Sequence, residues 1–411
     1  MFTGNPRHTF SPWLLFVTDD KLKELLQKGP TVLGAQASSP ARVQRNRLGQ
    51  WLLVRRDTGR RGRLRSQDRG AFLQEPIKFV GQFVLTFSLV SIVHAQAVKT
   101  YRGSLGDKHI EMRLTVNGTN VSGTYFYDRF KQEIPLEGTS DAKGRLELLE
   151  GSGKRKTGKF ICKKESETPG VDLDCEWSRT DGTGKAFVFL NEQGLLLKGD
   201  ISIKPKVIND RQRKVDVSYP QLTASVITPA MAELNRLIES RVNKTIKEFE
   251  PESYSNAYFG TTYNVLFADD DKVSIELNED SYAGGAHPSE SLWTVNYDLK
   301  TNRELTLEDV FKPGDEYKSA IAEFVAKDIN RRAEEIERIE ARENNRPPEK
   351  REELVMSADQ LPEMNTWGFT TKGFVAYFDF PHAMAVFDKT IVPYNIVARY
   401  AKPNGVVPIV K

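Results

Sequence analysis

The chain has 411 residues, which is long enough for two or three domains. Hydrophobic residues make up 39% and charged residues 28% of it, a balance typical of a globular protein. The net charge of +3 is unevenly distributed, because residues 1–76 contain 14 Lys and Arg against 6 Asp and Glu. The remainder is mildly acidic, so the overall pI of 8.6 does not indicate nucleic-acid binding by the folded part.

The first segment, residues 1–77, does not have the pattern of a domain. The stretch RVQRNRLGQWLLVRRDTGRRGRLRSQDRG is rich in arginine and has little hydrophobic periodicity, which is typical of disorder. It is followed by an apolar run of about 15 residues, Phe79 to Val93, with the basic Lys78 in front. The small-x-small pattern Ala95-Gln96-Ala97 then matches a signal-peptide cleavage site.

Two interpretations of residues 78–97 remain open. In the first, they are a cleaved signal peptide, the mature chain begins near Val98, and residues 1–77 are an over-extended reading frame. In the second, they are an uncleaved membrane anchor, although the run is short for a span of about 20 residues and contains polar side chains. The protein contacts a membrane only in the second interpretation. Both predict a periplasmic, secreted or otherwise extracytoplasmic location for residues 98–411.

The two cysteines fit an exported protein. Cys162 and Cys175 lie symmetrically about Thr168-Pro169, with a short strand pattern on each side. Antiparallel pairing about that turn places them opposite each other, at a separation that suits a disulfide. An oxidising compartment would keep that disulfide formed. The alternative is a pair of free buried thiols.

Residues 98–205 are predicted to form an antiparallel β domain. Alternation in HIEMRLTV is followed by Asn117-Gly118, a strong hairpin signal, and turns recur every 8 to 12 residues. This spacing indicates a barrel or sandwich. We expect its aromatic residues to fill the interior; the alternative is a sugar- or peptide-binding face, and the residues concerned are Tyr101, Tyr125, Tyr127 and Trp177.

Residues 206–411 change in character and predict an α+β domain. Thr228 and Pro229 open a helix with an apolar stripe, three strands follow, and a second helix starts near Asp315. Its later half, RRAEEIERIEAREN, is mostly charged and is expected to be a solvated extension. A turn-linked strand pair, WGFTTKGFVAYFDF, comes near the end. The order predicts two helices packed on one face of an antiparallel sheet.

Three segments of this second domain carry a family resemblance. VSYPQL with AELNRLI, SYAGGAHPSES with VNYDLKTNRELTLEDVF, and FTTKGFVAYFDFPHAMAVFDKTIVPYNIV together resemble the RsiV-like domain over about residues 213–400. The chain departs from the family pattern at Pro381-His382-Ala383-Met384 and in the long Arg/Glu-rich insert at about 331–355. Members include a lysozyme-binding anti-sigma factor and modules beside peptidoglycan deacetylases. The resemblance implies binding to a protein or peptidoglycan partner in the cell envelope, and it does not imply catalysis.

The candidate contact residues lie on two loops. The first is shaped by two glycines and by Pro288, which favours an extended conformation at His287. We expect His287 to brace this loop, with partner contact and catalysis as alternatives. Loops on a rigid sheet commonly carry binding residues. The candidates are Tyr282, Gly284, Gly285, His287, Phe380, His382 and Phe387.

The sequence indicates no enzyme motif and no cofactor. It lacks a G-x-S-x-G elbow, an H-E-x-x-H motif and a Cys/His cluster with zinc-site spacing. We therefore predict a non-enzymatic binding protein with no catalytic residue, metal or cofactor. One alternative is a cell-wall hydrolase or deacetylase that uses His287, His382 and Asp379. Another is a membrane-anchored signalling sensor.

Overall fold

The computed structural model describes residues 98–142, 144–163, 171–249, 256–284, 288–349 and 355–403. The first eight strands form a closed antiparallel barrel in which each strand pairs with its neighbours in sequence and β1 closes against β8. The predicted β domain is therefore confirmed as a barrel. Its strands are β1 (Val98–Leu105), β2 (Lys108–Asn117), β3 (Asn120–Tyr127), β4 (Ile134–Ser140), β5 (Leu146–Glu150), β6 (Gly158–Cys162), β7 (Leu173–Arg179) and β8 (Ala186–Glu192).

Side chains fill the inside of the barrel, as expected for eight strands. Tyr125 is only 1% exposed and packs edge-to-face on Phe160, with 5.4 Å between ring centroids. Tyr101, Tyr127 and Trp177 are partly buried against the same core. The expectation that aromatic residues build the core is confirmed for Tyr125.

The disulfide prediction is also confirmed. Cys162 on β6 pairs in register with Cys175 on β7, and their sulfur atoms are bonded. The bond joins two antiparallel neighbouring strands, as the symmetric spacing of the cysteines predicted.

A six-stranded sheet follows, in the spatial order β14-β13-β12-β11-β10-β9. The last barrel strand ends at Glu192, and the expected domain boundary at 205/206 falls inside β9. Helix α1 (Pro229–Glu248) begins with Thr228 as N-cap, whose side chain accepts from the Met231 amide. The strands are β9 (Ser202–Asp210), β10 (Val215–Thr223), β11 (Tyr258–Ala268), β12 (Lys272–Tyr282), β13 (Ser289–Asp298) and β14 (Arg303–Glu304).

One strand pair departs from the expected antiparallel sheet. β10 and β11 run parallel over Val215–Val217 and Phe259–Thr261. Helix α1 connects them and carries the chain back to the end of the sheet where β10 began, which is how parallel neighbours are joined. The apolar stripe of α1 packs on one face of this sheet, as predicted; its buried residues include Met231, Leu234, Ile238, Val242 and Ile246.

A separate three-stranded sheet corrects the expected position of the second helix. It has the order β15 (Met364–Phe369), β16 (Gly373–Phe378) and β17 (Lys389–Pro393). Helix α3 (Glu316–Glu343) shares a core with this sheet, through Ile321, Val325 and Ile329. The two helices therefore cover different sheets. The short helices are α2 (Leu307–Val310), α4 (Tyr394–Val397) and the 3-10 helices Ala358–Gln360, His382–Phe387 and Ala398–Tyr400.

Polar contacts join the two sheets. Ser274 Oγ accepts from the Phe369 amide at 3.1 Å, and Asn296 Nδ2 donates to the Trp367 carbonyl at 2.7 Å. Buried Glu276 accepts a hydrogen bond from the Tyr377 hydroxyl at 2.6 Å. The three-stranded sheet thus covers polar side chains of β12 and β13 that alternate with the apolar residues under α1.

Within the described part of the chain, no helix combines the length and the apolar character needed to cross a membrane. Residues 78–97, on which the signal and anchor interpretations depend, lie outside the described residues.

Candidate functional site

Two tyrosines form an aromatic pair near one end of the six-stranded sheet. Tyr258 on β11 lies directly opposite Tyr282 on β12, with ring centroids 6.5 Å apart and ring planes 28° apart. Both rings are half-buried. The Tyr258 hydroxyl donates to Asp280 Oδ1 at 3.0 Å, which fixes the orientation of that ring. The pair therefore presents an apolar surface next to a carboxylate.

A row of carboxylates crosses four strands beside these tyrosines. Asp216, Gly260, Asp280 and Glu290 are successive cross-strand partners on β10, β11, β12 and β13. Directly paired residues share a face of a sheet, so the three carboxylates lie on one face. Asp216 and Asp280 are exposed, and Glu290 is half-buried.

Gly260 leaves a gap in this row. A Cβ atom added there would lie 3.5 Å from the Asp216 carbonyl oxygen and 3.7 Å from that of Asp280, which is ordinary van der Waals contact. The backbone therefore does not require glycine for lack of space. The gap between Asp216 and Asp280 is open because residue 260 carries no side chain. We call Tyr258, Gly260, Asp280, Tyr282 and Glu290, with Asp216, the tyrosine–carboxylate face.

Burial, and to a smaller extent neighbouring negative charges, shift the pKa of two groups on this face. Partial burial removes water from the Asp280 carboxyl and raises its pKa, although Asp280 still reaches solvent. The negative charge of Glu290 raises this pKa further. The hydrogen bond from Tyr258 acts in the opposite direction. Burial and the neighbouring Asp280 charge raise the pKa of Tyr258, which therefore stays protonated and remains a donor. The face is consequently acidic, and the Asp280 carboxyl on it ionises at a cost.

A histidine from the barrel lies within electrostatic range of this row. Burial lowers the pKa of His109, whereas the charges of Asp128 and Asp216 raise it. His109 is on β2 and Asp216 is on β10, more than 100 residues further along the chain. Sequence reasoning did not connect these two residues, because no local pattern indicates how the barrel packs on the sheet.

The structure describes the first predicted loop in part. Tyr282 is the last residue of β12, and Gly284 follows with a φ of 113°, a conformation that favours glycine. Gly285 and His287 lie outside the described residues. The bracing role of His287 and its convergence with His382 therefore stay predictions.

The second predicted segment belongs to the three-stranded sheet and its core. Phe380 and Phe387 are each 4% exposed and pack with Met384 in the core that α3 covers. Burial gives both phenylalanines a packing role beneath this segment. Asp379 is exposed at the end of β16, and the side chain of His382 lies outside the described part. Whether this segment contacts a partner stays a prediction.

The described residues contain no group of three His, Cys, Asp or Glu side chains placed to hold a metal ion. Asp216 and Asp280 are two strands apart, with Gly260 between them, so they do not converge on one ion. The tyrosine–carboxylate face can accept hydrogen bonds, attract positive charge and stack against a flat surface. These are properties of a binding face.

Comparisons with known families match two segments of the second domain. Residues 208–290 match the family model described as "Deacetylase PdaC". Residues 308–381 match the model described as "Protein of unknown function (DUF3298)". These matches fit a domain of unknown function of the general kind that the sequence resemblance indicated. The more specific RsiV-like assignment stays a prediction.

Solved structures of the DUF3298 family also resemble part of the chain. A member from Bacteroides fragilis NCTC 9343 is 15% identical with a TM-score of 0.33, and the match covers 50% of this chain and 93% of that one. A member from Pseudomonas aeruginosa PAO1 is 18% identical with a TM-score of 0.33, covering 50% and 94%. The search of curated proteins finds no match.

Proposed function

We propose that this protein is an exported, non-enzymatic binding protein of the bacterial cell envelope. Its binding surface would be the tyrosine–carboxylate face. The observation that carries the proposal is the placement of Tyr258 and Tyr282 beside the carboxylate row on one solvent-reaching face of a sheet. Partly exposed aromatic residues next to polar groups are a common composition for a recognition surface.

The chemistry of the face limits the class of partner. Tyrosine rings stack on flat apolar surfaces, including the faces of sugar rings, and carboxylates accept from hydroxyl, amide and ammonium groups. A cell-wall glycan offers sugar faces and donors, and a basic protein of the lysozyme type offers lysine and arginine side chains. Both partner classes expected from the sequence fit the face, and an anionic partner does not.

Two features support export. The Cys162–Cys175 disulfide suits an oxidising compartment outside the cytoplasm. The apolar run at 79–93, with its small-x-small site, has the form of a signal peptide. Sequencing the N-terminus of the native protein tests this part of the proposal. A start near Val98 supports the cleaved signal, and an intact segment 78–97 supports the anchored sensor.

Calorimetric titration of residues 98–411 with soluble peptidoglycan fragments and with lysozyme tests the binding face. We expect binding to one of them, and loss of that binding in a Tyr258→Ala/Tyr282→Ala variant. Phe187→Ala is the matched control, because Phe187 is an aromatic residue 53% exposed on the barrel. Absence of binding to both ligands, or equal loss in the control, contradicts the proposal.

A second candidate is favoured by one observation, the deacetylase named in the description of the family model that matches residues 208–290. This alternative places a cell-wall deacetylase or hydrolase site at His287, His382 and Asp379. Release of acetate or reducing ends from peptidoglycan by residues 98–411, abolished in a His287→Ala variant, would establish it. If the wild-type protein releases no more acetate or reducing ends than the His287→Ala variant, the catalytic alternative is rejected and the binding function remains.

A further inference from the structure

A loop of the barrel lies against the tyrosine–carboxylate face at its β10 end. The loop follows β3, and the Arg129 guanidinium on it donates to Asn209 Oδ1 on β9 at 2.8 Å. Asn209 is the cross-strand partner of Asp216. The Asn209 amide nitrogen donates to Asp216 Oδ1 at 3.0 Å. One asparagine side chain therefore joins a barrel cation to the first carboxylate of the row.

The strand register places this contact on the face of the sheet that lies away from α1. Val215 and Val217 belong to the core under α1, so Asp216 between them lies on the opposite face. Ser218, two residues further on, shares that face with Asp216 and donates to Asp128 Oδ2 of the barrel at 2.6 Å. The barrel thus packs directly beside Asp216, and its β3–β4 loop borders the tyrosine–carboxylate face.

The positive charge of Arg129 is not neutralised within the described part of the protein. Asp128, its neighbour in sequence, is buried and accepts from Arg102 with both carboxylate oxygens. None of the carboxylates that the structure describes forms an ion pair with Arg129, which is exposed and whose partner Asn209 is neutral. Lys131, two residues further on, is exposed as well. This end of the face therefore carries positive charge.

Arg129 retains hydrogen-bond donors for a ligand. A guanidinium has five N–H donors, and the bond to Asn209 uses one of them. The flat, forked arrangement of these donors matches a carboxylate, which can accept two parallel hydrogen bonds from one arginine. Arg129 can therefore recognise a carboxylate on a partner while it keeps its contact with the sheet.

Opposite charges are separated along the face. Asp216 and Glu290 lie three strand spacings apart, or about 14 Å, since neighbouring strands are about 4.8 Å apart. Arg129 lies beyond Asp216, on the β9 side. Neutral sugar rings with hydroxyl and amide donors fit the tyrosines and the carboxylate row. A carboxylate attached to such a chain fits the β9 end.

We propose that Arg129 is a specificity-determining residue of the binding face, and that the partner is a glycan that bears carboxylates. This inference rests on the proposed binding function and selects between its two partner classes. A basic protein would bring lysine and arginine side chains against Arg129 and Lys131, whereas N-acetylated sugars bring no positive charge. The barrel supplies the cation, and the sheet supplies the carboxylates and the rings. The complete site therefore needs both domains.

Two versions of one ligand test the role of Arg129. The full chain would be titrated calorimetrically with a peptidoglycan disaccharide-peptide that has free carboxylates, and with the same fragment after amidation of its carboxylates. We expect the free-carboxylate form to bind about tenfold more tightly, as for one charge-assisted hydrogen-bonded pair. In Arg129→Gln this difference should vanish, while the amidated fragment binds as it does to wild type. Arg129→Lys should restore only part of the difference, because an ammonium group lacks the forked geometry.

Arg145→Gln is the matched control. Arg145 is an exposed arginine on the β4–β5 turn, which lies at the opposite end of the barrel from the β3–β4 loop. This variant should keep the full preference for the free carboxylates. The glutamine of Arg129→Gln can still donate to Asn209, so thermal unfolding should show the same melting temperature for both variants.

The results that overturn the role of Arg129 differ from a failure of binding itself. Equal binding of the two fragments by wild type excludes recognition of the carboxylate, and the binding function remains. An equal loss for both fragments in Arg129→Gln would mean that Arg129 only holds the barrel on the sheet. Binding of lysozyme but of neither fragment would reject the glycan and keep a protein partner. Absence of binding to the fragments and to lysozyme contradicts the binding function as well.

Discussion

The carboxylates of Asp280 and Glu290 lie on directly opposed residues of β12 and β13. Like charges in this position destabilise a sheet. The pKa of Asp280 is raised by its partial burial and by the charge of Glu290. Such an arrangement of opposed carboxylates costs stability when Asp280 is ionised. Under the proposed binding function, hydrogen-bond donors or positive charge of a partner would offset this repulsion.

Asp280→Asn should stabilise the protein at neutral pH. The raised pKa means that the ionised carboxyl costs stability above its folded pKa, and asparagine removes the charge while its amide oxygen still accepts from Tyr258. We expect a gain of less than about 1 kcal/mol at pH 7. Thermal unfolding should show the gain shrinking as the pH falls through the raised folded pKa of Asp280 towards 3.8, and no gain below 3.8, where aspartic acid is neutral in both states. A constant gain at all pH values contradicts the electrostatic explanation.

Gly260→Ala should keep the fold and weaken binding. The added methyl group meets only ordinary contacts, but it narrows the gap between Asp216 and Asp280. We expect stability within about 0.5 kcal/mol of wild type and about tenfold weaker binding of the partner, or ~1.4 kcal/mol. Gly194→Ala is the contrasting variant, since its Cβ would lie 2.2 Å from the Leu266 carbonyl oxygen. Gly194→Ala should therefore lose stability. Equal stability of the two variants would contradict the difference in space around Gly194 and Gly260.

Lys389→Met should expose the cost of burying Glu276. Burial alone would raise the pKa of Glu276, but the Lys389 charge and hydrogen bonds from Lys389, Tyr377 and Asn278 lower it to about 2. Removing the lysine leaves a buried unpaired carboxylate, which should cost about 3 kcal/mol at pH 7.

The pH dependence of that variant provides its control. A lowered pKa gives stability that is present above 4.5 and is lost as the pH falls towards 2. Urea unfolding should therefore show wild-type stability falling steeply in this range. The Lys389→Met variant should show a shallower fall, and Glu276→Gln/Lys389→Met should recover part of the loss. Identical pH profiles would exclude the ion pair as the cause.

Phe387→Ala should affect stability rather than binding alone. Phe387 is buried beside α3, and the Arg332 guanidinium lies 5.2 Å from its ring centre. Truncating a buried phenylalanine costs about 3–5 kcal/mol. Phe187→Ala on the barrel surface should cost less than about 0.5 kcal/mol. Calorimetric unfolding measures both stability losses. A small loss for Phe387→Ala would contradict the packing role of Phe387 and favour partner contact instead.

Replacing both cysteines with serine should lower the stability of the barrel. The bond closes a loop with a sequence separation of 13 residues, for which chain entropy predicts a loss of about 3 kcal/mol. Reduction of the wild type should reproduce the shift in melting temperature. A reductant that leaves the melting temperature unchanged would mean that the hairpin holds without the bond.

Local sequence patterns were sufficient for much of the fold. Strand alternation and frequent turns indicated the barrel, and the symmetric spacing of Cys162 and Cys175 indicated their pairing. The N-cap Thr228 and the stripe beyond it indicated α1. These features depend on interactions between residues near each other in the chain, so they are readable from sequence. The α+β class of the second domain followed from the order of such elements.

The sites where distant segments meet were decided by tertiary structure. Arg332 belongs to a charged stretch expected to be solvated, yet it is buried beside Asp328 and donates to Thr390 at 2.9 Å. Its burial depends on β17, nearly 60 residues further along the chain. The electrostatic interaction of His109 with Asp216 likewise depends on how the barrel packs on the sheet. No periodicity reports such contacts, because they arise only when separate elements pack together.

The tyrosine–carboxylate face shows most clearly which features the sequence decides and which the tertiary structure decides. The sequence by itself determined that Tyr282 ends a strand next to glycines, and that acidic residues lie nearby. A bulge between Val265 and Phe267 shifts the register of β11 against β12 by one residue. Counting outwards from the hairpin without that bulge would place Tyr258 opposite Ala283. Because side chains alternate between the faces of a strand, only the folded sheet decides that the two tyrosines and the carboxylates share one surface.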